Sequence, residues 1–511
     1  GTVYLTGAGP GDPGLLTLRA VEVLKLADLV LYDGLANPLL LRYTDAVCER
    51  TARTRVDSRA IVPQEEVNQR LIDEARSGKC VVRLKGGDPY IFGRGSEEAA
   101  ALEAAGVPYE VVPGITAATA AAEYAGFSFT HRSHTSAVAF VTGHEDPTKE
   151  ASQLDYEALA SFPGTLVFYM GLGRLSQICA KLIENGKDQT TPAAIICQAS
   201  LPTQRVIQST LQHLPDEAAL SKVRPPSLIV VGECVNLRQA QSWFEKRSLH
   251  GLRIGITCAE HQNQDVIQQI IVRSGQPIVM PMLSIHPVTG EEADAVGRQI
   301  DQLKQFDWLV FTSSNGVTEF FRHLHEAGLD SRALGQIKIA AVGPSTANSL
   351  KPFGLTADII PSTYRAEALA DALKEEVAGK SVLWAKADRA RDVLAERLLE
   401  YSAAQVQSTI VYKNEDVASL AESTESQIRN GEVDWIGLSS PSAARRLAAL
   451  MNDADIDLPR SGVQLAAISS LTAVAAEAAG LVISATATDQ TWNGILQAIE
   501  NHHRESGQKI V

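Results

Sequence analysis

A carboxylate closing an apolar run and three glycine-bearing turns are the residues of this chain best placed to do chemistry. Asp33 ends the run Leu29-Val30-Leu31-Tyr32. A carboxylate at the C-terminal end of a strand stands where open α/β sheets bind ligands, and there it can accept a proton. It can equally cap the next helix. The turns are Gly7-Ala8-Gly9-Pro10-Gly11-Asp12, Gly86-Gly87-Asp88-Pro89 and Pro113-Gly114-Ile115-Thr116-Ala117, each following an apolar strand. Glycine removes Cβ atoms where a small ligand must touch bare backbone, and Pro10 stiffens the first turn. Asp88 and Thr116 can also serve as local caps. The spacing Gly7-x-Gly9-x-Gly11, with a proline inside and Asp12 behind it, departs from the dinucleotide pattern. No ribose-binding acid follows at the expected interval, which weighs against a nicotinamide dehydrogenase.

A second set of chemical groups recurs in the other half. Asp307-Trp308-Leu309-Val310-Phe311-Thr312-Ser313-Ser314 is echoed by Asp434-Trp435-Ile436-Gly437-Leu438-Ser439-Ser440-Pro441. Ala341-Val342-Gly343-Pro344-Ser345-Thr346 is echoed by Ala467-Ile468-Ser469-Ser470-Leu471-Thr472. Each copy is a strand, a Ser/Thr/Gly turn and a helix. Turns of this kind offer helix N–H groups and hydroxyls to carboxylates. They also serve as plain N-caps.

The elements that must position these groups form an α/β chain. Strands near Val3–Thr6, Leu29–Tyr32, Val81–Leu84 and Tyr109–Val112 alternate with helices near Thr17–Leu26, Glu65–Ser77 and Ser96–Ala105. The alternation predicts a mostly parallel sheet. A second lobe follows, with strands near Val138–Thr142, Thr165–Tyr169, Ala193–Cys197 and Ser227–Val231. Residues 236–250 read as a terminal helix plus linker, and the main boundary is placed just before the strand at Leu252. The expected division is residues 1–246 (lobes about 1–132 and 133–246), a linker at 247–251, and 252–511.

Composition sets limits. At 511 residues several domains are expected. A net charge of −14 argues against nucleic acid, yet leaves room for an anionic small substrate in a local basic pocket. No run approaches the ~20 apolar residues that span a bilayer. The chain opens on a strand, so the cytoplasm is expected. Six scattered cysteines, without a C-x-x-C pair, read as buried thiols, and no metal site is expected.

The three glycine blocks resemble the uroporphyrinogen-III C-methyltransferase family of tetrapyrrole methylases. They come together with Tyr32-Asp33, Pro63-Gln64-Glu65-Glu66, Thr130-His131-Arg132, Thr142-Gly143-His144 and Phe168-Tyr169-Met170-Gly171-Leu172. The resemblance implies methyl transfer from S-adenosylmethionine to uroporphyrinogen III, giving precorrin-2 and S-adenosylhomocysteine. It places the cofactor at Pro10, Gly86, Gly87, Asp88, Ile91, Thr116, Ala117, Met170 and Ala199, the last where the family commonly has glycine. It makes Asp33 the proton acceptor and a homodimer the expected assembly. The family's proton-donor lysine falls on Arg55. Arginine does not readily release a proton, so Arg55 suits a substrate carboxylate instead. Arg42, Arg94 and Arg132 are further candidates for that role.

Residues Leu252 to Ile499 resemble uroporphyrinogen-III synthase, which closes hydroxymethylbilane into a ring without metal or cofactor. That fold has two similar lobes joined by crossing strands, here expected near Leu283–Val288 and Thr409–Lys413. One lobe is expected from about 252–286 plus 416–511, the other from about 287–415. The resemblance makes Tyr412 the residue that assists departure of the hydroxyl, and an unperturbed phenol carries its proton at neutral pH. Thr312, Ser313, Gly343, Thr346, Ser439, Ser440 and Thr472 are the expected carboxylate binders. The reading is thus a bifunctional enzyme of small-molecule substrates. Its rivals are a methylase of a later corrin intermediate and a second half that binds a ligand without turnover.

Overall fold

The computed structural model describes residues 1–51, 63–143, 154–259 and 263–506. The first half holds two five-stranded sheets. β1 (Thr2–Gly7), β2 (Leu29–Asp33), β3 (Val47–Thr51), β4 (Cys80–Lys85) and β5 (Tyr109–Val112) form an all-parallel sheet in the order β3-β2-β4-β1-β5. Its central strands are buried on both faces, so they read as continuous apolar runs rather than alternating ones. β6 (Val138–Thr142), β7 (Thr165–Tyr169), β8 (Pro192–Cys197), β9 (Arg205–Thr210) and β10 (Ser227–Val231) form the second sheet. Its order is β6-β7-β10-β8-β9, and only the β6–β7 pair is parallel.

The second half also holds two sheets. Its strands are β11 (Arg253–Ile256), β12 (Gln276–Val279), β13 (Leu283–Pro287), β14 (Trp308–Phe311), β15 (Lys338–Ala341), β16 (Ser381–Ala387), β17 (Gln405–Asp416), β18 (Trp435–Leu438), β19 (Gln464–Ala467) and β20 (Ala485–Thr486). One sheet runs β12-β11-β18-β19-β20, so both ends of this half build it. The other runs β13-β17-β16-β14-β15, from the middle. β13 and β17 carry the chain between the two lobes, lying side by side antiparallel with Leu283 opposite Asp416 and Pro287 opposite Tyr412. The sequence echo has a structural meaning: the β14–β15 turns serve one lobe and the β18–β19 turns the other. Trp308 and Trp435 fill equivalent core positions, 2 % and 1 % exposed.

Residues 236–250 differ from expectation. After a short 3-10 turn at Glu233–Leu237, the segment runs as irregular turns rather than as a helix. Tertiary contacts override helical propensity here. Arg238 and Glu245 form a buried ion pair at 2.9 Å, Arg238 also donates to the Ala125 carbonyl, and Glu245 accepts from Ser242 N. Trp243 and Phe244 pack their rings against Tyr124. Residues 247–251 are no free tether either. Leu249 and His250 are buried, and Gly251 N donates to the Pro202 carbonyl at 3.1 Å. Among the described residues, no helix is long and apolar enough to cross a membrane.

Candidate functional site

The glycine turns of the first half meet backbone to backbone. Gly9 N donates to Gly87 O at 3.2 Å and Gly87 N to Gly9 O at 2.8 Å. The third turn crosses both: a Cβ on Gly7 would stand 2.5 Å from Gly114 Cα and 2.7 Å from Gly87 O. No other residue type fits such an approach. Asp88 ties two turns together, its Oδ1 accepting from Tyr90 N at 2.8 Å and its Oδ2 from Gly114 N at 3.0 Å. The opposite wall comes from the second lobe. The Tyr169 hydroxyl accepts from Ala118 N at 3.0 Å and bonds Thr116 Oγ1 at 2.7 Å, at the start of helix Ala117–Ala125. Burial pushes this phenol above its ordinary range, so it keeps its proton. Met170 follows at the mouth, 53 % exposed, and is not a core residue.

Phe92, Arg94, Met170, Gln198 and Ser200 all hold left-handed backbone around this space. Such conformations cost non-glycine residues free energy and concentrate at ligand sites. Ser200 Oγ accepts from Asp12 N at 3.1 Å, which brings Ala199 and Pro10 to the same cleft. Pro10, Gly86, Gly87, Asp88, Thr116, Ala117 and Ala199 therefore surround one crevice, with Ile91 and Met170 exposed at its rim. A Cβ at Gly7 or Gly114 would collide with the backbone of a neighbouring turn, so the turns close on one another through bare backbone, which also lets a ligand approach closely.

Behind it lies a charge network that the sequence reading missed. Arg83 and Glu98 are 0 % exposed and Lys85 1 %. Arg83 ion-pairs with Asp33 and with Glu98 (3.2 Å), and Lys85 Nζ lies 2.9 Å from Glu98. Thr51 Oγ1 donates to Asp33 Oδ1 at 3.0 Å, and Gln64 Nε2 to Glu98 Oε1 at 3.1 Å. Burial works against the Arg83 charge, but Asp33 and Glu98 outweigh it and hold the guanidinium above its ordinary range. Burial, then the Arg83 charge, hold the Lys85 ammonium below its own. Asp33 is thus fixed as a partly exposed carboxylate at the tip of a buried chain of charges. The available signal was the charged pair Arg83 and Lys85 inside the apolar strand Cys80–Lys85.

The arginines divide. Arg55 lies outside the described residues. Arg94 is held by Glu97 at 2.6 Å, and Arg132 sits exposed on a turn. Arg42 stacks on Tyr43 with its guanidinium 5.0 Å from the ring.

In the second half a cleft of about 310 Å³ lies between the lobes. Of the expected carboxylate binders, Ser439 and Ser440 line it, together with Thr257, Asn315 and Asn414, which the sequence reading did not single out. Tyr412 stands behind it, 5 % exposed, bonded to Ser313 Oγ at 2.9 Å and flanked by Asn315 and Asn414. Burial pushes its phenol up, so it carries its proton at neutral pH. Ser313 and Ser440 also cap their helices, accepting from Gly316 N at 3.0 Å and Ala443 N at 3.1 Å. Thr312 accepts from Trp384 Nε1 at 3.2 Å. Gly343 starts the short helix Pro344–Asn348, while Thr346 and Thr472 are buried at 4 % and 0 % exposure. Their side chains therefore present little surface to a ligand.

Two α/β units, one built round a glycine crevice and one round a cleft between repeated lobes, define a fused protein with two candidate small-molecule sites. Residues 2–215 match the Tetrapyrrole (Corrin/Porphyrin) Methylases and residues 264–497 match Uroporphyrinogen-III synthase HemD. The porphyrin biosynthesis protein HemD of Ruminiclostridium josui is 33 % identical over 480 residues, 93 % of either chain. The uroporphyrinogen-III C-methyltransferase of Bacillus subtilis is 38 % identical over 69 % of this chain and 72 % of its own. The crystal structure of the Thermus thermophilus uroporphyrin-III C-methyl transferase with S-adenyl homocysteine is 38 % identical. It covers 46 % of this chain and all of its own, with a TM-score of 0.40. The chain belongs to the family that joins a tetrapyrrole methylase to a HemD-type uroporphyrinogen-III synthase.

Proposed function

We propose that the second half cyclises hydroxymethylbilane to uroporphyrinogen III and that the first half methylates it at carbons 2 and 7, giving precorrin-2. The observation that carries this reading is the meeting of Gly7, Gly87 and Gly114 in one crevice, on a chain that also carries Tyr412 behind a cleft between lobes. When bound in that crevice, S-adenosylmethionine supplies an electrophilic methyl group and leaves as S-adenosylhomocysteine. The chain's own part is chiefly positioning, since a pyrrole carbon is already electron-rich. The backbone walls and the Tyr169–Thr116 pair shape the crevice, and the carboxylates of its turns, Asp88 and Asp12, are held by hydrogen bonds of their own. Asp33, held by Arg83 and Thr51, takes the proton that the methylated ring sheds. In the second half Tyr412 donates a hydrogen bond to the departing hydroxyl, and Ser439, Ser440, Asn315 and Asn414 hold carboxylates by neutral hydrogen bonds. A second copy would pair through the first half, where the edge strand β6 exposes Val138 and Phe140.

The purified chain, given hydroxymethylbilane and methyl-labelled S-adenosylmethionine, should yield a dimethylated product by mass spectrometry. Uroporphyrinogen III left unmethylated would reject the first assignment. Hydroxymethylbilane that closes no faster than in buffer would reject the second.

A further inference from the structure

A large cavity lies in neither site. It occupies about 1030 Å³ between the two halves. That is the upper end of the range that buries a drug-sized ligand. Asp12, Asn37, Arg42 and Leu201 bound it on one side, Gln264, Ser274 and Gln427 on the other. The halves are fixed around it. Leu39 packs into the core built by Ile254, Ile267 and Ile495, Gly251 N bonds Pro202 O, and Ser248 Oγ donates to Glu500 at 2.8 Å.

Three features point to a ligand. First, the cavity adjoins the cleft of the second half and runs up to Asp12 and Ser200 of the first. Leu283 and Ile285 of β13 line it and also line the cleft between the lobes of the second half. At the other end Asn37 Nδ2 donates to Gly11 O at 2.7 Å, and Asp12 and Ser200 bind each other beside the glycine crevice. Second, its lining sets neutral polar side chains beside one cation: Asn37, Asn263, Gln264, Ser274 and Gln427 stand with Arg42. Such groups can hold carboxylates by hydrogen bonds and one charge. Third, charge on the lining is sparse and mixed: Arg42 stands with two acids, Asp12, whose oxygens accept from Gly14 N and the Tyr124 hydroxyl, and Asp45, which is exposed to water.

We propose that this cavity is a transfer site for a carboxylate-bearing macrocycle. The ring leaves the cleft of the second half over Leu283 and Ile285, lodges its carboxylates on Arg42 and the neutral polar side chains beside it, and reaches the first half past Arg42 faster than it escapes to solvent. The inference rests on the two activities proposed above. A near-neutral lining suits transfer, since a strongly cationic one would trap an anion rather than pass it on.

Isotope dilution on the full chain tests it. Isotopically labelled hydroxymethylbilane is turned over with S-adenosylmethionine while unlabelled uroporphyrinogen III is present in solution at about a tenfold excess; confinement of the intermediate predicts that most methylated product still carries the label. A product whose label matches the mixed pool from the first turnovers overturns the proposal. Gln264→Trp with Gln427→Trp, both on helix surfaces facing the cavity, should drop the labelled share to the pool ratio. Cyclisation, and methylation of added uroporphyrinogen III, each assayed alone, should keep their rates. Label retention unchanged in that variant also overturns the assignment of this cavity. Absence of either separate activity in the unmodified protein would instead sink the underlying functional reading.

Discussion

Glu98→Gln is the sharpest perturbation of the first half. The change keeps size and one acceptor oxygen but removes a charge. Arg83, Lys85, Glu98 and Asp33 balance as two cations and two anions, three of them all but fully buried. Without the Glu98 charge, Arg83 and Lys85 keep Asp33 as the one carboxylate of the network among the described residues. Breaking a buried pair by removing one partner costs about 3–5 kcal/mol, because the other charge stays unpaired. Lys85 supplies a relief route. Burial and Arg83 already hold its ammonium below the ordinary range, and loss of Glu98 lowers it further. The unfolded chain binds the lysine proton up to a pH of about 10.4, whereas the folded variant releases it earlier. Between those two values the unfolded state holds more protons, so stability rises with pH. The gap between variant and parent should therefore be widest at low pH and close at up to about 1.4 kcal/mol per pH unit as alkaline pH is approached. Urea unfolding, followed by a probe in the first half across pH 6 to 10, measures it. Adding Lys85→Met should recover much of the loss through a double-mutant cycle. A penalty under about 1 kcal/mol, or one that is flat with pH, would refute the reasoning that these charges are held dry and mutually dependent.

Further outcomes follow from other contacts. Gly114→Ala would drive a methyl into the Gly87 carbonyl and within 2.8 Å of Gly7 Cα, so it should cost about 1–3 kcal/mol and abolish S-adenosylmethionine binding in calorimetry; intact binding would mean that the turns do not build the cofactor crevice. Gly87→Ala meets nothing nearer than 3.7 Å, and only its left-handed φ of +70° penalises it, so a milder loss of about 1 kcal/mol should appear in thermal unfolding. Asp33→Asn should slow methylation by roughly 10²-fold and leave hydroxymethylbilane cyclisation untouched, as read by product formation from each substrate separately. Tyr412→Phe should do the reverse, lowering cyclisation by roughly 10²-fold while methyl transfer to added uroporphyrinogen III stays normal; equal cyclisation rates would remove Tyr412 from the chemistry.

Much of the layout was legible along the chain because it depends on local pattern. Apolar runs bounded by glycine and proline gave the strand ends, and the crevice loops lay where the glycines are. The echo of Asp307–Ser314 in Asp434–Pro441 marked two related lobes, since each copy is one strand, one cap and one helix start. Even the second role of those hydroxyls was visible, as Ser313 and Ser440 do cap their helices. The sequence could not say that residues 236–250 abandon the helix, because the Arg238–Glu245 pair and the ring stack on Tyr124 join positions far apart along the chain. It could not say that Thr346 and Thr472 turn inward, because burial at a helix start depends on the neighbouring layer.

The residue types alone pointed to the family, the α/β class and the glycine-bearing turns at Gly7, Gly87 and Gly114, since those follow from patterns within a few residues. Only the tertiary structure decided that the three turns interlock, that Arg83 binds Asp33 and Glu98 at once, and that a cavity opens between the halves. Each of these is set by how separate layers pack. The free energy of such packing comes from contacts between residues distant along the chain, where no local pattern records it.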